Sequence, residues 1–474
     1  MLFPTVEFAV FFVVVFVVSW LLRPHPAAWK AFILLASYLF YGWWEARFVL
    51  LLAASSVVNW VLGGLVYAAA TEEGRKRWLG VAVVANLAVL GWFKYYGFFV
   101  ESVVGSFGRL GLDVNPPLVR VILPVGISFF TFHAMSYVID LYRGDTRPAG
   151  LVDFSVYMAF FPHLVAGPIV RASELVPQIE VRPDPRRVDS ALAFRLIFAG
   201  LFKKVVVSSF VATAIVDDVF AVPQAHSSLE ILFAVYAYAV QIYADFSGYT
   251  DIAIGVALLL GFRFPQNFDA PYSALSIQDF WRRWHITLSR WLRDYLYIPL
   301  GGNRGSPSRV HRNLMLTMLL GGLWHGAAWT FVVWGGIHGL AQVGERVWAD
   351  RRAERGLPAG PLSPLGAVGR WLLTFHVVCL AWVFFRAETF ADARELLTRL
   401  LTAWGPAPLV TPLLVVTIVA MLASQFVPSE AVGRVQAGFS RLGPVAQGAA
   451  LAAGLVLVGA LGPEGVAPFI YFQF

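Results

Sequence analysis

Two histidines lie in stretches of sequence where a polar side chain is costly. His285 sits in Asp279-Phe280-Trp281-Arg282-Arg283-Trp284-His285-Ile286-Thr287-Leu288, and His325 in Gly321-Gly322-Leu323-Trp324-His325-Gly326-Ala327-Ala328-Trp329, inside an otherwise apolar run. Imidazole is the side chain best suited to move protons near neutral pH. An ionisable group at membrane depth marks a functional site by default. The chemistry suggested is proton transfer at a buried site. A metal centre is not expected, because no two histidines are spaced i, i+3 or i+4 with an acidic partner. Asp245 and Asp251, flanking Phe246-Ser247-Gly248-Tyr249-Thr250, would either line a polar passage or join a structural hydrogen-bond network. His163, His338 and His376 read as polar residues satisfied within helix packing, and the single Cys379 as a buried small hydrophobe.

These residues need a frame that holds them in apolar surroundings. Of 474 residues, 58% are hydrophobic and only 14% are charged, against about 25% charged in soluble domains. Mean hydropathy is +0.68. The composition predicts an all-α polytopic membrane protein. The net charge of +7 falls mainly in short connections between apolar runs, as expected where Lys and Arg collect on the cytoplasmic side. Membrane lipid is therefore an expected partner and nucleic acid is not. One cysteine provides neither a disulfide framework nor a thiolate cluster. The first apolar run lacks a basic leader and a small-residue cleavage site, so it reads as a retained span with its N-terminus outside.

A crossing helix needs roughly 20 mostly apolar residues. Candidate spans are 3–22, 30–44, 48–70, 78–99, 121–142, 191–222, 228–246, 312–349 (too long for one crossing), 367–386, 407–427 and 444–461. Roughly ten to twelve transmembrane helices, with re-entrant and interfacial ones, are expected around a central tunnel. Loops 71–78, 143–150 and 171–196 fall inside and 101–120 outside by counting crossings. One integral membrane domain is expected over 1–474, with its catalytic core at about 154–349.

Three segments depart from simple spans. Pro162, Gly167 and Pro168 break 154–170, predicting a re-entrant or interrupted element. Gly248 is expected to break the run after 246. On a helical wheel, 277–298 separates Trp281, Trp284, Leu288 and Trp291 from Arg282, Arg283, Arg290 and Arg293. That division predicts a helix lying in the membrane interface. Arg304, Arg309 and Arg312 extend its basic surface, suited to the phosphates of a nucleotide-bearing donor or to lipid headgroups.

The block Gln266-Asn267-Phe268-Asp269-Ala270-Pro271-Tyr272, the His285 segment, Trp291-Leu292-Arg293-Asp294-Tyr295-Leu296-Tyr297-Ile298-Pro299-Leu300-Gly301-Gly302-Asn303-Arg304 and the His325 segment together resemble the membrane-bound O-acyltransferase family. The likeness is greatest to the branch containing the bacterial alginate O-acetyltransferase, and its strong part covers about 243–340. It implies that His325 is the principal catalytic histidine and that His285 occupies a second site, where eukaryotic relatives tend to carry asparagine. It implies a tunnel with acyl donor entering from the cytoplasm. Ala328 stands where alginate enzymes often have asparagine, a departure that concerns the acceptor site.

By that resemblance the chain is an O-acetyltransferase of a bacterial inner membrane. Acetyl-CoA is the expected donor substrate, with no resident cofactor. An exported polysaccharide, or an extracytoplasmic acetyltransferase partner, would receive the acetyl group. His325 would serve as general base on the acceptor hydroxyl, or carry a transient acetyl group. His285 would hold the donor or polarise its carbonyl. Trp284, Arg282, Trp324, Asp245, Asn303 and Arg304 are the expected substrate-binding or tunnel-lining residues. Two other functions compete. D-alanyl transfer to teichoic acid is disfavoured by the long alginate-type match. A proton-coupled transporter or flippase would show paired broken helices, and none is apparent.

Overall fold

The computed structural model describes residues 1–112, 119, 121–357, 363–462 and 470. Residues 113–118 and 120, in the connection predicted to lie outside, fall beyond the described ones. The described residues are helical, with no strand among them. They form two compact units, one of 1–193 with 253–265 and the other of 194–252 with 266–474.

In the first unit, α1 (Val6–Leu22), α2 (Pro26–Gly42), α3 (Arg47–Ala68) and the long α4 (Glu72–Arg109) precede α5 (Ile127–Arg143). Thr5 and Thr71 cap α1 and α4 by accepting the N–H groups of Phe8 and Gly74. Helix α5 packs on α3 and α4 and is buried on nearly every side from Ile127 to Leu141, with the polar Thr131, His133, Ser136 and Asp140 among the covered residues. The predicted interruption of 154–170 is present. α6 (Leu151–Ala159) stops at Phe160, a single turn α7 (Phe161–Leu164) follows, and irregular backbone leads to α8 (Ala172–Glu180). This stretch is protein-covered from Phe154 to Val170, the condition under which irregular backbone persists at membrane depth. There His163 donates Nε2–H to the Tyr157 carbonyl at 2.8 Å.

Two long helices run between the units in sequence: α9 (Ser190–Ala221), which includes two π turns, and α10 (Ser228–Leu259). The break expected at Gly248 is absent, because α10 continues through it. Gly248 instead allows close helix approach. A Cβ there would lie 2.8 Å from the carbonyl oxygen of Gly200 on α9, the small-residue contact typical of membrane helices.

The second unit holds the remaining irregularities. The interfacial helix expected over 277–298 is two short helices, α11 (Ile277–Arg283) and α12 (Ile286–Leu292), followed by a π turn at Arg293–Tyr297. The break falls at Trp284 and His285. It turns the tryptophan stripe into protein rather than toward headgroups: Trp284 is fully buried, while Trp281 and Trp291 are nearly so. The overlong run 312–349 folds as a hairpin of α13 (Pro307–His325) and α14 (Trp329–Glu354), joined at Gly326–Ala328. Then come α15 (Pro364–Arg386), α16 (Phe390–Thr402), α17 (Pro412–Ser424), α18 (Ser429–Ser440) and α19 (Pro444–Leu461).

Among the described residues, five stretches are long and apolar enough to cross a membrane: α3, α4, α9, α10 and α15. The apolar helices α1, α17 and Val445–Leu461 are shorter. Val10, Val14, Leu50, Val84 and Leu373 are exposed on such helices, an apolar surface that water would not tolerate and lipid does. The chain is an all-α polytopic membrane protein.

Glycines set the α13–α14 hairpin. A Cβ on Gly335 would collide with the Met318 carbonyl, and one on Gly322 with the Phe331 carbonyl. Gly335→Val should therefore overpack the hairpin, at a cost of roughly 1–3 kcal/mol. The expected result is a lower unfolding temperature in a thermal-shift assay on the detergent-solubilised protein. An unchanged midpoint would show that the hairpin gives way freely.

Candidate active site

His285 caps the start of α12 with φ 42° and ψ 54°. This left-handed conformation is uncommon for a residue with a Cβ, and it persists only where surrounding contacts enforce it. The contacts here come from Asn267. Its carbonyl accepts the N–H of Ile286 at 2.9 Å, and Asp269 N–H reaches the Arg283 carbonyl at 2.9 Å. The Asn267 side-chain oxygen lies 3.1 Å from His285 Nδ1 and also accepts the N–H and hydroxyl of Thr287, at 3.2 and 2.8 Å. The imidazole is fully buried, with Phe246 edge-on at 4.7 Å between ring centroids. Burial pulls its pKa down to about 3, so the ring is neutral at physiological pH.

His325 is the last residue of α13, where Gly326 ends the helix in extended backbone. It is 3% exposed and is held edge-on by Trp334 and Phe385, at 4.9 and 5.5 Å between centroids. The two imidazoles face one another across 6.5 Å, their rings inclined at 55°. Trp324 touches both, 6.2 Å from His285 and 5.1 Å from His325. Two buried imidazoles at this spacing can flank one small reacting group.

A cavity of about 1350 Å³ opens beside them in the second unit. Its walls include Ile286, next to His285 in sequence, and Thr317 and Met318, two turns before His325. Arg282, Arg290, Arg293, Arg346 and Arg370 line it, with Glu345 among them. Glu345 accepts the Gln278 N–H at 3.1 Å and also that of Ile277, at the start of α11. Neither histidine is part of the wall. Trp281, Leu292 and Met318 are also part of the wall.

The predicted site residues divide into three groups. His285, His325, Trp324 and Trp284 come together. Trp284 is fully buried, stacked on Phe280 at 5.5 Å and packed against Trp382 at 5.1 Å. Arg282 and Asn303 line the cavity. Asn303 accepts from Tyr297 and Arg346, both at 2.8 Å. Arg304 is exposed and not part of the cavity wall. Asp245 is fully committed elsewhere: it forms a buried ion pair with Lys204 and accepts the Ile470 N–H at 2.7 Å. Asp251 pairs with Lys203 at 2.6 Å. His338 accepts from Trp281 Nε1 at 3.3 Å, and His376 bonds Tyr236 at 2.8 Å. Asn267 is the site residue that sequence reasoning missed. Its only signal was an asparagine within an apolar-aromatic block before the tryptophan stripe.

Comparison with known proteins bears on the same residues. The model of the membrane-bound O-acyltransferase family matches residues 38–385. The chain is 46% identical over 369 residues to the probable alginate O-acetylase AlgI of Pseudomonas aeruginosa, covering 76% of this chain and 67% of that one. Identity to the Azotobacter vinelandii protein of the same name is 47% over 373 residues, covering 77% and 71%. The peptidoglycan O-acetyltransferase of Helicobacter pylori is 37% identical over 402 residues, covering 79% and 74%. The paired imidazoles lie inside the matched region. The chain belongs to the membrane-bound O-acyltransferase family and is an O-acyltransferase.

Proposed function

We propose that this chain takes acetyl from acetyl-CoA on the cytoplasmic face of a bacterial inner membrane and delivers it to hydroxyls of an exported polysaccharide such as alginate. Delivery is direct or through an extracytoplasmic acetyltransferase partner. The observation that carries this reading is the pair of buried imidazoles beside an arginine-lined cavity. The names of the relatives, alginate O-acetylase and peptidoglycan O-acetyltransferase, support an acetyl group and a surface polymer over D-alanyl transfer.

The chemistry follows from the parts. The acceptor oxygen attacks the thioester carbonyl while His325 takes the hydroxyl proton. A carbon–oxygen bond forms, the carbon–sulfur bond breaks, and the thiolate leaves as the free thiol with the proton returned from His325. Water kept out by the surrounding aromatic rings would otherwise hydrolyse the thioester. The arginines suit the phosphates of the donor, since guanidinium–phosphate bonds are charge-assisted and geometrically selective. Because neither histidine lines the cavity, a passage for the acyl arm would have to open between the two.

Acetyl-CoA consumption by the purified protein in nanodiscs, with an acidic polysaccharide as acceptor, tests this reading. His325→Ala should lower turnover by roughly 10²–10⁴-fold, the range of general-base loss, with unchanged yield and unfolding temperature. Near wild-type turnover would remove His325 from the mechanism. Arg282→Gln and Arg346→Gln should raise KM for acetyl-CoA about tenfold, as when a charged hydrogen bond is lost. An unmoved KM would take the donor out of the cavity.

The depressed His285 pKa gives a pH prediction. Its neutral form persists as pH falls to about 3, so the acidic limb of the rate profile near neutrality belongs to another group. His285→Gln should lower kcat without moving that limb. A displaced limb would identify His285 as the titrating base.

A further inference from the structure

The turn that carries His285 is held by the backbone of Asn267 and Asp269 and by the Asn267 side chain, and that side chain fixes where the imidazole proton sits. The backbone N–H of Thr287 can only donate, so the atom facing it at 3.2 Å is the amide oxygen of Asn267, not its nitrogen. The Thr287 hydroxyl donates to the same oxygen at 2.8 Å. The amide nitrogen points the other way, 3.4 Å from Thr250 Oγ1. A carbonyl oxygen can only accept, so His285 Nδ1, 3.1 Å from it, carries the hydrogen. In a neutral ring the lone pair then belongs to Nε2. That atom is buried and has no hydrogen-bond partner among the described residues. Buried polar atoms are usually paired, and an open one calls for an explanation.

Resting on the acyl-transfer reading above, we infer that Asn267 is a positioning residue that locks His285 as the Nδ1–H tautomer, so that His285 meets substrate as a hydrogen-bond acceptor through Nε2. Sequence left two roles for this histidine. Polarising the donor carbonyl requires an N–H aimed at its oxygen, and the one N–H of the neutral ring is committed to Asn267. Holding a substrate group by accepting its hydrogen remains. The left-handed backbone of His285 belongs to the same device. It lets residue 285 turn back on Asn267 while the next two N–H groups bond to Asn267 as well.

Solid-state 15N NMR of the full-length protein in lipid reads the tautomer directly, with the His285 signals identified by their loss in His285→Gln. Near neutral pH, Nδ1 should be protonated and Nε2 bare in the wild type, and the two forms should mix in Asn267→Leu. A protonated Nε2 in the wild type overturns the inference, whatever the substrate. If Asn267→Leu does not fold, the wild-type spectrum decides alone. A double-mutant cycle on acetyl-CoA turnover separates positioning from a general structural role. Asn267→Leu should cost roughly tenfold or more, the scale of losing a partner that orients a histidine. In a His285→Gln background the same change should cost less than about twofold, because the ring it orients is gone. Equal losses in both backgrounds would overturn the inference. Absence of acetyl-CoA turnover would refute the donor assignment and leave the NMR result standing.

Discussion

An imidazole that works without competing water must be kept where polar atoms are expensive, and the fold around it has to offset that cost. Both histidines of the site meet this constraint by being placed at interruptions. His285 occupies a left-handed turn between two seven-residue helices, tied down by Asn267. His325 ends a helix where Gly326 leads into the next. A histidine in mid-helix shares its neighbourhood with backbone groups already bonded to each other. At a break, the chain can aim the ring and bring a second chain segment to orient it. Both histidines of the candidate site sit at such breaks.

The same constraint shapes charges away from the site. Lys204 and Asp245 are each almost wholly covered and paired with one another, while Lys203 and Asp251 pair nearly two turns further along α10. Removing one partner of such a pair would leave a buried charge uncompensated. In the first unit, Arg23 is 5% exposed, donates to the Leu260 carbonyl at 2.8 Å and lies over the Trp29 ring at 3.8 Å. Each of these buried charges is matched by a neighbour that bonds it. His285 Nε2 has no such neighbour among the described residues, as the proposed substrate contact requires.

Much of this was legible in the sequence because two signals are strong. Long apolar runs announce helices, and the Trp324-His325-Gly326 and Trp284-His285 segments announce the site. The interruption at Pro162 and Gly167 was equally plain. What stayed hidden depended on neighbours distant in sequence. Gly248 reads as a break locally, yet Gly200 turns it into a packing contact within a continuous helix. The 277–298 wheel presents an interfacial face, but the turn at His285 folds its tryptophans inward against Trp334 and Trp382. Asp245 looked available to a passage until Lys204 was brought beside it. Asn267 could not be chosen from sequence because its role lies in a bond to a ring eighteen residues away.

Transfer in sealed vesicles tests the central claim most directly. Proteoliposomes with polysaccharide acceptor trapped inside would be given acetyl-labelled acetyl-CoA outside, and the internal polymer assayed for labelled ester. Label should appear on the trapped polymer with the wild-type protein and be lost with His325→Ala. Label reaching the polymer equally well without that imidazole would contradict the account, as would none reaching it when donor and acceptor are both present and the protein is folded.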